Sequence, residues 1–351
     1  MRDAIDARAF PCASIAVTHA GRLAALRAFG RFVYDESLAL LPKGTGNLAV
    51  RPETLFDLAS VTKAVATTTM AAILYERGLL ELDAPVSGIV PEISGEDPRR
   101  KQITFRMLLA HSSGLPAYEK LFLRAQTREE LLNAAFSTAL TAEPGTRAEY
   151  SDIGFIILGA ALERIAEETI DRFCRREIFG PMAMANTTFN PPHEMRMMTP
   201  PTSYDRTLRN RIIQGEVQDE NAFVLGGVAG HAGLFSTAED LAQFAHIMLK
   251  GGSPILRPET VATFTRHDSS PVKTSRALGW DTPSVPSQSG RYFGASSYGH
   301  LGYAGTSLWI DPERRLSITM LTNRTWPDCS NQAIKQLRPK FHDAVIEALG
   351  E

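Results

Sequence analysis

Phe56-Asp57-Leu58-Ala59-Ser60-Val61-Thr62-Lys63-Ala64-Val65-Ala66 opens a long apolar, alanine-rich run that closes at Gly78, and its reading decides the fold. An apolar run with a glycine stop predicts a helix over 61–78. Ser60 and Lys63 stand three residues apart at its start, a spacing that puts both side chains on one helical face within reach of each other. A serine hydroxyl is a weak nucleophile at neutral pH and needs a base beside it. A lysine serves when burial and neighbouring dipoles lower its pKa. The helix start also offers a free backbone N–H where an oxyanion would develop. Four-residue patterns recur by chance, however, and Ser60 as a plain helix N-cap accounts for the same letters.

Further along, Pro144-Gly145 turns the chain toward Tyr150-Ser151-Asp152 and straight into a helix expected over 153–168. Tyr150, as a phenolate or shared-proton partner, can take a serine proton and pass it to a leaving group. Asp152 is suited to hydrogen-bond Lys63 or a substrate. The alternative makes Asp152 an N-cap and Tyr150 a packed aromatic. A third stretch, His300-Leu301-Gly302-Tyr303-Ala304-Gly305, leads into an apolar run over 306–310. Glycines at a strand entry let a substrate backbone approach and pair along the edge, although a glycine-rich entry with no such role reads the same.

The ends of the chain read as strands. Residues 13–19 and 22–29 flank Ala20-Gly21 as a hairpin, and 306–310 and 316–322 flank a turn at Asp311-Pro312. Between them helices are expected over 103–111 and 238–250, the latter capped by Ser236 or Thr237. A last helix over 331–349 should be kinked or interrupted by Pro339. The Pro-, Met- and Gly-rich stretch 191–233 is a candidate binding-site wall. The expectation is an α+β fold, an antiparallel sheet from both termini flanked by helices plus a mostly helical region. The sheet region would take 1–55 and 255–351, and the helical region 56–254.

Hydrophobic residues make up 44% of the chain and charged residues 22%, and the net charge is −2. No global field draws such a chain to nucleic acid, and Arg99-Arg100-Lys101 and Arg314-Arg315 read as solvated loop. Cys12, Cys174 and Cys329 are odd in number and form no CxxC pair, which points to neither zinc nor disulfides and to a reducing compartment. Acids among residues 1–6 interrupt any signal peptide, so a cytoplasmic location is expected, or a periplasmic or secreted one if a leader has been removed. No run of 18 apolar residues suggests a membrane span.

In combination, Ser60-x-x-Lys63, Tyr150-x-Asp152 and His300-x-Gly302 resemble the serine β-lactamase and penicillin-binding-protein superfamily, whose class A members carry the related S-x-x-K, S-D-N and K-T-G set. The tyrosine-first second motif is similar to the class C branch, shared with D,D-peptidases and family VIII carboxylesterases. The stretches 103–115, 230–241 and Leu278-Gly279-Trp280 extend the likeness over roughly 10–345. The resemblance implies the α/β sandwich of the β-lactamase/transpeptidase type, with Ser60 as acylated nucleophile and Lys63 and Tyr150 as its acid/base partners. The oxyanion hole would be the N–H groups of Ser60 and Tyr303. Asp152, His300, Gly302 and Tyr303 would contact substrate, and no metal or cofactor is needed.

Two departures carry consequences. Asp152 stands where asparagine is usual and adds a negative charge beside Lys63. His300-Leu301 replaces the Lys-Thr that receives a β-lactam's carboxylate, and His300 gains charge only as pH falls toward 6. The expected function is therefore a serine hydrolase acting through an acyl-enzyme on small carboxylic esters, with β-lactamase or D-amino-acid-type peptidase as alternative. Its partners would be small-molecule esters, amides or β-lactams, with no nucleic acid. A non-catalytic binding protein of the same fold is the rival, and the intact Ser60, Lys63 and Tyr150 count against it. His111 reads as a structural helix-end residue. His231, Asp219 and Asn221 are candidates for the pocket lining, and Trp280, Trp309 and Phe235 for core or pocket wall.

Overall fold

A computed structural model describes residues 1–41, 47–267 and 274–350. Strands β1 (Cys12–His19) and β2 (Arg22–Gly30) form the expected hairpin. Ala20 and Gly21 both take positive φ, 49° and 82°, as a two-residue turn matched to strand twist requires. Near the other end, β3 (Tyr298–Leu301), β4 (Ser307–Asp311) and β5 (Leu316–Thr322) follow in succession. The ends of the chain do meet: β1 pairs antiparallel with β5, from Ala13 opposite Thr322 to His19 opposite Leu316. The sheet order is β2-β1-β5-β4-β3.

Both β1 and β5 are buried over almost their whole length, because each face of the sheet is covered. On one face Ala13, Ile15, Val17, Ile318 and Met320 meet the C-terminal helix through Ile334 and Ile346. On the other, Cys12, Ala16, Leu308, Ile310 and Leu321 join the main core, together with Leu241, Phe244 and Ala245. The strand period of two sends alternate residues to the two cores. The result is helix, sheet, helix.

Four helices frame the site: α1 (Thr69–Glu76), α2 (Asp152–Ala166), α3 (Ala238–Leu249) and α4 (Ile334–Leu349). The chain is helical from Val61 and runs through a π-helical stretch, Lys63–Thr68, before continuing as α1. Everything from Val61 to Leu74 is buried, as suits a helix apolar all round. Thr237 caps α3, its side chain accepting from the Asp240 N–H, while Ser236 lies in a short strand. The stretch 103–111 is helical only over Phe105–Leu109.

Of the kink or interruption expected at Pro339, the interruption is absent: α4 runs through it from Ile334 to Leu349. The carbonyl of Lys335, left without its helical donor because proline has no N–H, accepts instead from Gln288 Nε2 at 3.0 Å. No helix among the described residues is long and apolar enough to cross a membrane.

Candidate active site

The site begins with a strained turn. Phe56–Asp57 pairs with Leu234–Ser236 in a small three-stranded sheet, and the chain then turns through Ala59, whose φ of 47° is unusual for a residue with a Cβ. Such a conformation costs about 1–3 kcal/mol. Asp57 holds it: Oδ1 accepts from the Ala59 N–H at 2.8 Å, and Oδ2 from the Gln218 N–H at 2.7 Å. Burial pushes this carboxyl up to about 6 against those hydrogen bonds. Nothing in the local sequence marked Asp57, since its second partner lies far along the chain.

Ser60 emerges from that turn, half-buried, on the wall of a cavity of about 850 Å³. Lys63, with no solvent exposure, places Nζ 3.0 Å from Ser60 Oγ, 2.6 Å from Asp152 Oδ1 and 2.9 Å from the His231 carbonyl. All three ammonium donors thus have acceptors. Burial alone would lower its pKa, but Asp152 and then Tyr150 outweigh it and the net shift is upward. Lys63 is an ammonium ion at rest. The Tyr150 ring lies 4.9 Å from Nζ, and burial, reinforced by Asp152, pushes its phenol up to about 12 against Lys63 and Ser60. It is a proton donor at rest.

Ser151, not Asp152, caps α2: its Oγ accepts from the Gly154 N–H at 3.0 Å. Asp152 is thereby left free to face Lys63. His111 orients this loop, accepting from the Ser151 N–H at Nδ1 (3.0 Å) and packing against the Tyr150 ring, centroids 4.7 Å apart and planes tilted by 33°. Burial, then Arg276 and Lys63, keep it neutral. The His231 carbonyl reaches Lys63 because Gly230 fits between Phe155 and Gly159, where a Cβ would collide with backbone. The His231 ring bonds Asp219 at 2.8 Å, and both residues line the cavity. Asn221 does not: it is spent on Phe122 N–H and Glu119 carbonyl. Trp280, Trp309 and Phe235 are buried core.

The opposite wall is the end of β3. His300 is buried, with Nδ1 2.8 Å from the Leu301 carbonyl. A carbonyl only accepts, so Nδ1 carries the proton and Nε2, which has no partner, keeps its lone pair. Burial first, then Lys63 and Arg276, drive its pKa down to about 3. The expected gain of charge near pH 6 therefore does not occur. Gly302 fits against the site turn so closely that a Cβ would strike Thr306 Oγ1 and the Leu58 carbonyl, and Thr306 Oγ1 also bonds that carbonyl at 2.8 Å. This contact brings Tyr303 to the Ser60 turn. Among the described residues neither the Ser60 nor the Tyr303 N–H has an internal acceptor.

Arg276, which the sequence reading passed over, lines the same cavity. Its guanidinium lies 5.5 Å from the Tyr150 ring centroid and 3.7 Å from Asp281. Arg276 bridges Asp281, which in turn pairs with Gly299 of β3 and so ties it to the strand wall.

A sheet made from both termini, with a Ser-Tyr pair gathered around a buried lysine at its edge, defines a serine hydrolase of the penicillin-binding-protein-like class. The chain belongs to the Beta-lactamase family, whose model matches residues 1–338. It is 32% identical to a protein of Salmonella enteritidis PT4 (strain P125109) named "Putative D-alanyl-D-alanine carboxypeptidase", over 80% of this chain and 72% of that one. To the N-acetylmuramyl-L-alanine amidase of Bacillus subtilis (strain 168) it is 30% identical, over 91% and 78%. Among solved structures, EstCE1, a hydrolase with promiscuous acyltransferase activity, superposes with a TM-score of 0.76 at 22% identity, over 97% and 96%. At that identity the likeness is one of fold.

Proposed function

We propose that the protein hydrolyses small carboxylic esters through an acyl-enzyme on Ser60. The observation that carries this is the hydrogen-bonded chain Ser60 Oγ–Lys63 Nζ–Asp152 Oδ1, at 3.0 and 2.6 Å, centred on the buried lysine beside two unpaired N–H groups. Because Lys63 is already charged, it accepts the Ser60 proton only as it surrenders one to Asp152. Ser60 Oγ then bonds to the ester carbonyl carbon, and the N–H groups of Ser60 and Tyr303 receive the oxyanion. Tyr150 donates its proton to the departing alkoxide and regains one from Asp152 through Lys63. Water repeats the sequence on the acyl group and restores Ser60.

The ester preference rests on Leu301 and the neutral His300, which offer a carboxylate beside the reacting carbonyl neither a charge nor a hydroxyl. Losing one charge-assisted hydrogen bond costs roughly 1.5–3 kcal/mol, about ten- to a hundredfold in binding. Arg276 favours a second reading, hydrolysis of D-amino-acid-type amides, because its guanidinium is suited to receive a carboxylate. That reading agrees with the names of the Salmonella and Bacillus relatives.

A fluorophosphonate probe should label the wild type and not Ser60→Ala, and the variant should lose several orders of magnitude of p-nitrophenyl butyrate hydrolysis while keeping its fold. Near-wild-type turnover by folded Ser60→Ala would sink the assignment, and an unlabelled, inactive wild type would favour a binding protein. Comparing kcat/KM for p-nitrophenyl butyrate, nitrocefin and a D-Ala-D-Ala peptide then tests the substrate class. A nitrocefin or peptide value at or above the ester's overturns the ester preference.

A further inference from the structure

The cavity that Ser60 lines is lined also by cations. Arg338 of α4 and Arg324 both line it, and both are buried, 4% and 5% exposed. No carboxylate among the described residues forms an ion pair with either. Arg324 gives Nε to the Tyr303 carbonyl at 2.8 Å and Nη1 to the carbonyls of Cys329 and Asn331, and lies over the Tyr303 ring at 4.5 Å. Arg338 gives Nη1 to Gln288 Oε1 at 3.1 Å and Nη2, at 3.5 Å, to the Thr306 carbonyl. Its Nε has no partner.

Other buried cations here are provided for. Lys63 faces Asp152 and Arg209 pairs with Asp205 at 2.7 Å, while Arg100, like Arg324, is held by three backbone carbonyls. Arg338 instead has its pKa driven down to about 10, by burial first and then by Arg324. Two like charges held together without a counter-ion are costly to bury. At the rim stand the exposed cations Arg206 and Lys335 and, of opposite sign, Asp328.

We propose that Arg338 and Arg324 form a subsite for a carboxylate or phosphate group carried by the substrate at a distance from the bond that reacts. Planar guanidinium groups match the two oxygens of such a group. This rests on the reading of Ser60 as nucleophile, which sets the reacting bond at Ser60 on the wall of the same cavity. The preferred ester would then bear a remote anion, whereas a carboxylate beside its carbonyl finds no receptor on Leu301.

The test compares p-nitrophenyl butyrate with the p-nitrophenyl monoesters of succinic, glutaric, adipic and suberic acids on wild type, Arg338→Met and Arg338→Lys. The best anionic ester should lose about ten- to a hundredfold in kcat/KM in Arg338→Met, the size of one charge-assisted hydrogen bond, mostly through KM. Butyrate should change less than about threefold, and Arg338→Lys should recover part of the loss. Equal losses on neutral and anionic esters would overturn the proposal. If Arg338→Met does not fold, inhibition of wild-type butyrate hydrolysis decides: adipate must inhibit better than its neutral diamide, and equal inhibition overturns it. Inhibition by inorganic phosphate without any preference for an anionic ester also overturns it, since the site would then hold a free ion. Titration of adipate into Ser60→Ala separates the two readings. Binding there supports the subsite even if Ser60 proves not to be the nucleophile, and Ser60-dependent hydrolysis with no anion preference removes the subsite alone.

Discussion

The two walls of the cleft act by opposite means. The helix wall holds four polar groups, Ser60, Lys63, Tyr150 and Asp152, whose proposed work is to pass protons, and Lys63 has no exposure to water at all. The strand wall holds a neutral His300, an apolar Leu301 and a Gly302 whose merit is having no side chain, and it offers the site a backbone N–H. One wall is chemistry by charge and the other by shape. Changes of residue type should therefore be severe on the first wall, steric on the second, and near silent where the side chain is neutral and turned inward.

The largest effects are expected from Lys63→Ala and Tyr150→Phe, each lowering kcat for the ester by about a hundredfold or more. The double variant should lose little beyond the worse single one, because one proton passes through both. Steady-state kinetics of the three variants check this, and losses that multiply would mean that the residues act independently. Asp152→Asn comes next. Without the carboxylate the main force raising the Lys63 pKa is gone, burial then favours the free amine, and the relay loses its terminal acceptor. A drop of roughly ten- to a hundredfold is expected, with the lysine titrating at lower pH in the kcat/KM profile. An unchanged profile would show that Asp152 does not set the charge of Lys63.

On the shape wall, Gly302→Ala should cost roughly tenfold or more in kcat/KM, because the added methyl must push Thr306 or Leu58 aside and misplace the Tyr303 N–H. Thermal stability should also fall, by about 1–3 kcal/mol, as overpacking typically does. A folded Gly302→Ala with wild-type kinetics would dissociate the Gly302 contact from the oxyanion site.

How far this was legible differs between the walls. Sheet and hairpin could be read because turn residues and apolar runs carry local signals, Ser60 and Lys63 because a helical turn sets them side by side, and Tyr150 only through the resemblance of the three motifs taken together. Which of Ser151 and Asp152 caps α2 could not be read, since both are good caps and only the distant Lys63 decides. That α4 runs on through Pro339 could not be read, because Gln288, which satisfies the Lys335 carbonyl, lies 51 residues before the proline. Asp57, Arg276 and Arg338 gave no signal, as their partners are brought to them only by the fold. The two- and three-residue strands around Ser60 are too short to show any period.

The smallest effect, and the sharpest test of the contrast, concerns His300. Read from sequence, its imidazole was the one source of positive charge on the strand wall as pH falls toward 6. Buried with its pKa near 3, it stays neutral across the whole range in which an esterase is assayed, so His300→Gln should leave the shape of the kcat/KM profile between about pH 5.5 and 8 unchanged. The stability consequence has a definite sign. An unfolded histidine takes up a proton below about 6.5 while the folded one resists until about 3, so the unfolded state binds more protons in that window and stability falls as pH drops through it. His342, likewise held down to about 3 by burial and then Arg338, adds to the same acid loss. His111, also held neutral by burial, contributes in the same sense; His300→Gln removes one of these contributions, and its melting temperature should fall less than the wild type's between pH 7 and 4.5. If the wild type instead gains activity on a carboxylate-bearing substrate toward pH 6, and His300→Gln abolishes that gain, the strand wall carries charge after all and the contrast between the walls fails.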